Sequence, residues 1–465
     1  MKMNIRYIAM VIVAGLWLPV DAQELQTAYF SDSYLYRHDL NPAFDNEEGY
    51  FSIPFLGNIN AGMLSNFRYD DVVRDNPLYP DRSDKKKTTF MNPYLRNGLK
   101  GFSSGDNVMN GNLKLNIVSV GFKKWGGYNT IELNARAKAN TSIPYKLFEF
   151  AVNTDNRHFD IGDVSADAQA FVELSMGHSH QVDEKLRLGG KVKLLVGAGN
   201  ASVEMKNVVA DFQDANKWTI SADAKSQVNM KGFKYLSKSK EYNAKDGTYK
   251  YVDDVDIDGA GVSGFGAAID FGAVYKLNDE LTLSAAIQDL GAVLWTNNYV
   301  AVNDAKTFTF DGFHDVSIDS QSGNVLDDQA DTYTDQLLDF AHLRDKGDDG
   351  SRITGIGANL NLGLQYVVPT FNMLRLGLLG TAHIDGPYSW TEGRLSANIS
   401  PVKWFDGSVS LAVNSFVSSF GFFANFHTKG FNFFVGMDHL MGTVSKEMIP
   451  LSGNGNVAFG FNVML

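Results

Sequence analysis

The sequence predicts one all-β body: a single transmembrane antiparallel β-barrel of about 14 strands, with an N-terminal plug segment and long extracellular loops. Three observations predict it. Segments that alternate apolar with polar residues recur along the chain, and short turns alternate with long polar stretches. The last segment, Val457 to Leu465, has one apolar face and one small or polar face. Strands of a membrane barrel show this alternation because one face meets lipid and the other the lumen.

The N-terminus predicts export. Lys2 and Arg6 precede an apolar stretch from Tyr7 to Val20, and Val20-Asp21-Ala22 resembles a small-residue cleavage site. The apolar stretch is too short for a spanning helix, which needs about 20 apolar residues. We therefore expect a signal peptide over residues 1–22, a plug segment over 23–48 and a barrel over 49–465.

Composition excludes several classes of protein. The chain has no cysteine, so disulfides, thiolate metal sites and a lipid-modified N-terminal cysteine are excluded. Its formal net charge of -12 argues against nucleic-acid binding, which needs a basic surface. The 44 Gly, 32 Phe and 19 Tyr, against 11 Pro and no obvious linker, favour one large β-structure over several linked domains.

The first strands begin after residue 49. Tyr50 to Ser65 is interrupted by Pro54 and Gly57, which suit an edge, a bulge or a kink and mark our expected opening seam. Residues 66–111 are polar and are expected to form an external loop. Lys114–Trp125 and Tyr128–Ala139 then flank Gly126-Gly127, a two-residue hairpin turn.

Charged residues on these strands define the lumen face. Glu132, Arg136 and Lys138 share one face of their strand, and Arg or Lys at the lipid midplane costs about 2–4 kcal/mol. The same argument extends to three later strands. The predicted lumen charge layer comprises Glu132, Arg136, Lys138, Glu173, Lys191, Lys193 and Asp270. Paired charges would brace the barrel; a pathway for polar ligands and one for apolar ligands are the alternatives.

The remaining elements follow in order. A short amphipathic helix is expected over Ile143–Phe150, an irregular external segment over 200–262 with a hairpin near Trp218–Met230, and an acidic loop over 303–350 with a helix near Asp335–Leu343. Further strands are expected at Ala168–Met176, Leu186–Val196, Gly264–Leu277, Leu281–Trp295, Arg352–Val367, Asn372–Ile384, Trp390–Ile399, Phe405–Phe416, Ser418–His427, Gly430–His439 and Asn456–Leu465. If the first strand runs outward, the short turns are periplasmic and the long segments external.

The segment before the first strand carries a resemblance. Asn41-Pro42-Ala43, between the signal and that strand, resembles the plug of FadL-like outer-membrane transporters; the alternative is a simple Asn-Pro turn. Residues 34–58 look still more like a Bacteroidota group of outer-membrane proteins of unassigned function. The resemblance implies a plugged barrel in the outer membrane of a Gram-negative bacterium and uptake of apolar small molecules.

Other motifs point to no site. Asp254, Asp256 and Asp258 before Gly259 resemble the opening of a calcium loop, but Phe265 stands where the bidentate Glu belongs, so a solvated acidic loop is the alternative. His178 and His180 are expected to be interfacial side chains, because a metal site usually needs three or four ligands. We expect no metal, no cofactor and no enzyme activity.

The sequence leaves two functions open. One is passage or uptake of small, amphipathic or hydrophobic molecules after displacement of the plug near the seam. The other is a closed barrel that serves as a binding or scaffold component of an envelope secretion or surface-protein complex. The expected partners are the lipid bilayer and lipopolysaccharide, the outer-membrane barrel assembly machinery, and a surface or periplasmic protein; nucleic acid is not expected.

Overall fold

The computed structural model describes residues 24–78, 87–152, 158–212, 217–314, 325–439 and 454–465. The expected signal peptide lies outside these residues. In chain order the strands are β1 (Tyr50–Ser52), β2 (Ile59–Ser65), β3 (Val73–Asp75), β4 (Lys87–Thr89), β5 (Asp106–Lys124), β6 (Gly127–Pro144), β7 (His158–Gln181), β8 (Leu186–Phe212), β9 (Trp218–Met230), β10 (Phe233–Glu241), β11 (Thr248–Ile257), β12 (Gly264–Lys276), β13 (Leu281–Thr296), β14 (Asn298–Asn303), β15 (Thr307–Phe310), β16 (Leu343–Asp348), β17 (Ser351–Gly355), β18 (Ala358–Val367), β19 (Leu374–Ile384), β20 (Trp390–Val402), β21 (Phe405–Asn414), β22 (Ser418–Thr428), β23 (Phe431–Met437) and β24 (Gly455–Met464). The helices are α1 (Tyr69–Val72), α2 (Tyr145–Val152) and α3 (Val325–Ala341), with 3₁₀ turns at Gln26–Ala28, Arg37–Asp39 and Gly386–Tyr388.

The strands close into an antiparallel barrel of 14 strands. The order around the wall is β1 with β2, β5, β6, β7, β8, β12, β13, β17 with β18, and β19 to β24. The last strand closes the barrel against the first, with Phe51 opposite Val463 and Ile59 opposite Phe459. The predicted fold class and strand number are confirmed.

The two faces of the wall differ as the alternation predicts. On β12, Phe265 and Phe271 are more than half exposed, whereas Asp270 is 1% exposed and points inward. On β24, Val457 and Val463 point outward and Asn462 is buried. An apolar outer band around a polar interior is the architecture of outer-membrane barrels and places this chain in that membrane.

The connections are strongly asymmetric. Six short ones, at 125–126, 182–185, 277–280, 368–373, 403–404 and 429–430, lie at one end of the barrel, as predicted for the periplasmic end. The opposite end carries longer connections, including 66–105, 213–263 and 297–350. We take that end as the external one.

The external region is more regular than the sequence indicates. The stretch 200–262, expected to be mostly irregular, instead continues β8 and forms β9, β10 and β11. Beyond the barrel β8 pairs with β9, which pairs with β14 and β15, and β14 pairs with β16. One face of this sheet packs in an apolar cluster that includes Val208, Ala210 and Ile220. A register shift between Lys206 and Val209 interrupts the alternation of β8, so strict alternation does not predict its external part.

Candidate functional site in the lumen

The N-terminal segment, residues 24–48, lies inside the barrel. Its aromatic side chains pack against inward-facing residues of the distant wall; Tyr34 contacts the rings of Phe423 and Phe434 at centroid distances of 5.3 and 5.1 Å. Leu25, Ala28, Tyr29, Phe30, Tyr34, Leu35, Tyr36, Leu40 and Phe44 of the segment belong to one buried cluster. The lumen therefore has an apolar core made of a segment that is not part of the wall.

The Asn41-Pro42-Ala43 turn sits against small wall residues. The Asn41 side chain accepts a hydrogen bond from the Ala43 N–H at 2.9 Å and donates to the Ala285 carbonyl at 3.3 Å. A Cβ added at Gly189 on β8 would collide with Pro42, and one at Gly272 on β12 with Asn41. The missing side chains at these two positions make room for the turn.

Two segment residues and one wall carboxylate surround the ammonium of Lys191. Lys191 Nζ lies 2.6 Å from Asp39, 3.2 Å from His38 Nδ1 and 3.3 Å from Glu132. Asp39 also accepts from Lys114 Nζ at 2.6 Å, and Lys114 pairs with Glu24 at 2.8 Å. We call Lys191, His38, Asp39 and Glu132 the Lys191 cluster; it joins the segment to two wall strands, β6 and β8.

A second group of charges belongs to the wall alone. Arg136 donates to Glu173 at 2.7 Å and to both carboxylate oxygens of Asp289 at 2.9 Å. Lys193 bridges Asp289 at 2.6 Å and Asp270 at 2.8 Å. Six of the seven residues of the predicted lumen charge layer thus form ion pairs within these two groups. Lys138 is the exception. Lys138 reaches Asp385 at the external end of the barrel, at 2.7 Å.

Asp289 was missed by sequence reasoning because of a β-bulge. The register of β12 and β13 shifts between Ile269 and Phe271, and Asp289 adopts a positive φ of 59°. As a result Gln288 and Asp289 both point inward, whereas strict alternation would turn Asp289 outward. The change of the outward apolar residues from Leu283 to the even positions Leu290 and Leu294, across the adjacent polar pair Gln288-Asp289, is the signal that could have marked this bulge.

A third charged group was also missed, although alternation could have found it. On β20, Glu392 and Arg394 face inward, and they form an ion pair of 2.6 Å that is almost completely buried. Arg394 also contacts Asp438, whose carboxylate accepts the backbone N–H groups of Gln26 and Thr27 at 2.7 and 2.6 Å. The start of the segment is held by this group.

The wall is continuous at Pro54 and Gly57. Residues 53–58 leave the regular ladder, and Phe55 has a positive φ of 63°. Even so, the Phe55 N–H donates to the Ile117 carbonyl at 3.0 Å and the Phe461 N–H to the Leu56 carbonyl at 2.8 Å. The predicted irregularity is present, but it is bonded on both sides, and its role as an opening seam stays a prediction.

The metal candidates have no cation geometry. Asp254 and Asp256 lie on β11, where an extended chain rises about 3.3 Å per residue, so alternate carboxylates do not converge as in a curled calcium loop. The backbone of this stretch therefore differs from that of a calcium loop. His38, Asp39 and Glu132 converge within 4.8 Å, but the Lys191 ammonium lies among them and supplies the positive charge. His178 Nδ1 donates to the Asn129 amide oxygen at 2.9 Å, and its ring stacks on His180.

A protein-family model matches most of this chain. Residues 42–438 match the model of a family of unknown function, DUF5723. The chain belongs to this family. A comparison with curated proteins finds no match. None of the described helices of this DUF5723 protein is long and apolar enough to cross a membrane.

Several solved structures match nearly the whole chain at low identity. The toluene transporter TbuX of Ralstonia pickettii is 8% identical, with 92% of this chain and 93% of that chain covered and a TM-score of 0.40. The toluene transporter TodX of P. putida is 9% identical, with 91% of each chain covered and a TM-score of 0.36. A FadL homologue of Pseudomonas aeruginosa is 10% identical, with 94% and 93% covered and a TM-score of 0.39.

Proposed function

We propose that this protein is an outer-membrane conduit for small amphipathic or hydrophobic molecules that is closed until its N-terminal segment shifts. The observation that carries the proposal is the segment itself: residues 24–48 fill the lumen and are held there by side-chain contacts with the wall rather than by strand pairing. Its contacts with Lys114, Lys191 and Asp438 are ion pairs and hydrogen bonds, which can break and re-form.

The charged interior favours amphipathic over wholly apolar permeants. Buried charges are tolerated chiefly when they are paired, and the Lys191 cluster loses a carboxylate when Asp39 moves away. A permeant with a carboxylate or another polar group could replace that lost partner, whereas a hydrocarbon could not. This supports the amphipathic half of the proposal.

A disulfide between the segment and the wall tests the proposal. The chain has no native cysteine, and the hydroxyl oxygens of Thr27 and Ser410 are 2.9 Å apart in the lumen. In liposomes, the oxidised Thr27→Cys/Ser410→Cys protein should block entry of a sulfonated naphthalene dye, and reduction should restore it. The two single variants, treated with the same oxidant, are the controls.

Deletion of residues 23–44 is the converse test. The deleted barrel should leak both the dye and salt ions, because the lumen loses its apolar core. A folded deleted barrel that stays sealed to both would exclude passage through the lumen.

A second function is favoured by the external sheet. Beside it, the separate hairpin β10–β11 pairs from Phe233 with Ile257 to Glu241 with Thr248, with a register shift between Leu236 and Ser237. Such ordered external structure suits a scaffold that presents a surface to a protein partner. Co-purification of a stoichiometric partner, lost when residues 233–257 are deleted, would support this function; a barrel that always purifies alone would contradict it.

A further inference from the structure

The N-terminal segment packs unevenly inside the barrel. Toward β19, β22 and β23 it makes apolar contacts with Leu379, Phe423 and Phe434. Toward β5, β6, β7 and β8 the contacts are polar and leave three cavities at successive heights. The β5–β8 side of the lumen can therefore hold water. We call the β19–β23 side, where the rings of Phe423 and Phe434 pack beside the almost fully buried Glu392–Arg394 pair, the dry side.

The upper cavity extends toward the external end. Its volume is about 70 Å³, and Asp39, Lys114 and Lys138 contribute charges to its lining. His383 and Trp390, at the external ends of β19 and β20, also line it. Since one water needs about 10–15 Å³ of such space, this cavity has room for several waters.

The lower cavities lead to the periplasmic end. A void of about 10 Å³ lies between His38, Lys191, Tyr128 and Ser179. Tyr128 and Ser179 also line a wider cavity of about 400 Å³ beside the Gly126-Gly127 turn, where the barrel opens to solvent. The small void and the periplasmic mouth thus share a wall.

An unpaired hydroxyl points to water in this void. Ser179 is 2% exposed, and its Oγ has no hydrogen-bond partner among the described residues. A buried hydroxyl normally has a partner in the protein or an ordered water. The void that Ser179 lines has about the size of one water.

The Lys191 cluster lies between the upper cavity and the void. Asp39 lines the upper cavity, whereas His38 and Lys191 line the void. The Lys191 ammonium, 2.6 Å from Asp39 and 3.3 Å from Glu132, closes the gap between them. A lysine carries its charge on a flexible four-carbon stem, so this contact can open by side-chain rotation alone.

We propose that the β5–β8 side of the lumen is a hydrophilic route for water and small monovalent ions, and that Lys191 is its gate. The route goes beyond the function proposed above, because it needs no displacement of the segment. The dry side stays packed while Lys191 changes partner between Asp39 and Glu132.

Potassium chloride conductance in planar bilayers tests the gate. The Lys191→Met/Glu132→Gln variant removes one charge of each sign, so its charge balance is kept while the gating ammonium is lost. Its conductance should exceed that of the wild type about tenfold, a change that corresponds to about 1.4 kcal/mol. The Lys191→Arg variant, which keeps the cation, should stay as closed as the wild type. A folded double variant with wild-type conductance would overturn the proposal.

Cysteine modification tests the path independently of that variant. A bulky methanethiosulfonate reagent on Ser179→Cys should abolish the conductance of the wild-type background and of the double variant. The same reagent on Ser410→Cys, which lies on the dry side beside Thr27, should leave it unchanged. Block at Ser410→Cys but not at Ser179→Cys would place the current elsewhere. The oxidised Thr27→Cys/Ser410→Cys protein should still conduct ions even if no dye passes, so the two proposals can fail separately.

Discussion

Replacement of Asp39 with Asn should release the N-terminal segment from the wall. The Asp39 carboxylate lies 2.6 Å from each of two buried ammoniums, Lys114 and Lys191. Breaking a buried ion pair costs about 3–5 kcal/mol. Because Lys114 keeps Glu24 and Lys191 keeps Glu132, we expect a cost at the lower end, about 3 kcal/mol.

Trypsin cleavage after Arg37 in the folded barrel measures this release. Arg37 is buried within the segment, so cleavage requires local opening and reports the population of the open form when reclosing is fast. A loss of about 3 kcal/mol predicts cleavage on the order of 100-fold faster. The rate of trypsin cleavage should rise, while the heat-dependent shift of the barrel in gel electrophoresis should stay the same. An unchanged shift shows that the wall stays folded.

Asp45→Asn is the matched control. Asp45 pairs with Arg187 at the periplasmic end, where both side chains are partly exposed, and such pairs contribute about 0–1 kcal/mol. If Asp39→Asn is cleaved no faster than Asp45→Asn, the segment does not depend on the Lys191 cluster, and the reasoning is refuted.

Three further changes test the charges and the packing. Glu173→Gln should reduce the free energy of unfolding by about 1–3 kcal/mol, because Arg136 loses one of two carboxylates in a buried site. The melting temperature of the detergent-solubilised barrel should therefore fall. Gly189→Ala should increase trypsin cleavage of the segment, because the new Cβ collides with Pro42. Partial burial, with nearby Arg344 and Lys240, lowers the pKa of His342 in the external region. The unfolded state therefore binds the proton more readily, so stability there should be full above about pH 6.5 and fall as the pH drops below it.

Each of these changes has its own control. Glu204→Gln removes a surface pair with Lys206 and should leave the melting temperature unchanged; an equal effect of both substitutions would mean that Glu173 is merely solvated. Gly393→Ala adds a Cβ in open space and should not affect cleavage. His342→Gln should remove the loss of protease resistance of the external sheet between pH 7 and pH 5. If the loss of protease resistance persists in this variant, a titratable group other than His342 causes it.

Residue alternation predicted the wall but not the interior contacts. On β6 and β12 the inward position of Glu132 and Asp270 follows from one rule, because each strand has one lipid face. The partners of these residues do not follow from it. Asp39 lies on a segment without periodicity, and Asp289 faces inward only because of a bulge.

The external sheet is a second feature that residue alternation did not predict in full. Register shifts near Gly162 and between Lys206 and Val209 break the alternation of the paired strands, so β8 could not be followed beyond its membrane part from the sequence. Helix α3, predicted near Asp335–Leu343, actually spans Val325–Ala341. Asp327, Asp328 and Asp331 are exposed, whereas Asp335 is buried and accepts hydrogen bonds from the Asn243 and Ala244 N–H groups. Apolar periodicity therefore gives little guidance to the ends of this helix.

The contact between Thr27 and Asp438 has a consequence for biogenesis. These residues are 411 positions apart, and β24 pairs with β1 and β2 at the same side of the barrel. The N-terminal part of the chain is thus joined to the C-terminal part at two places. One is the strand pairing in the wall, and the other is the Thr27–Asp438 contact in the lumen. The segment cannot reach its final contacts until the last hairpin has formed, and contacts of such long sequence separation form slowly. Barrel closure and segment docking should therefore be a single late event, and intermediates without the last strands should have protease-sensitive N-termini.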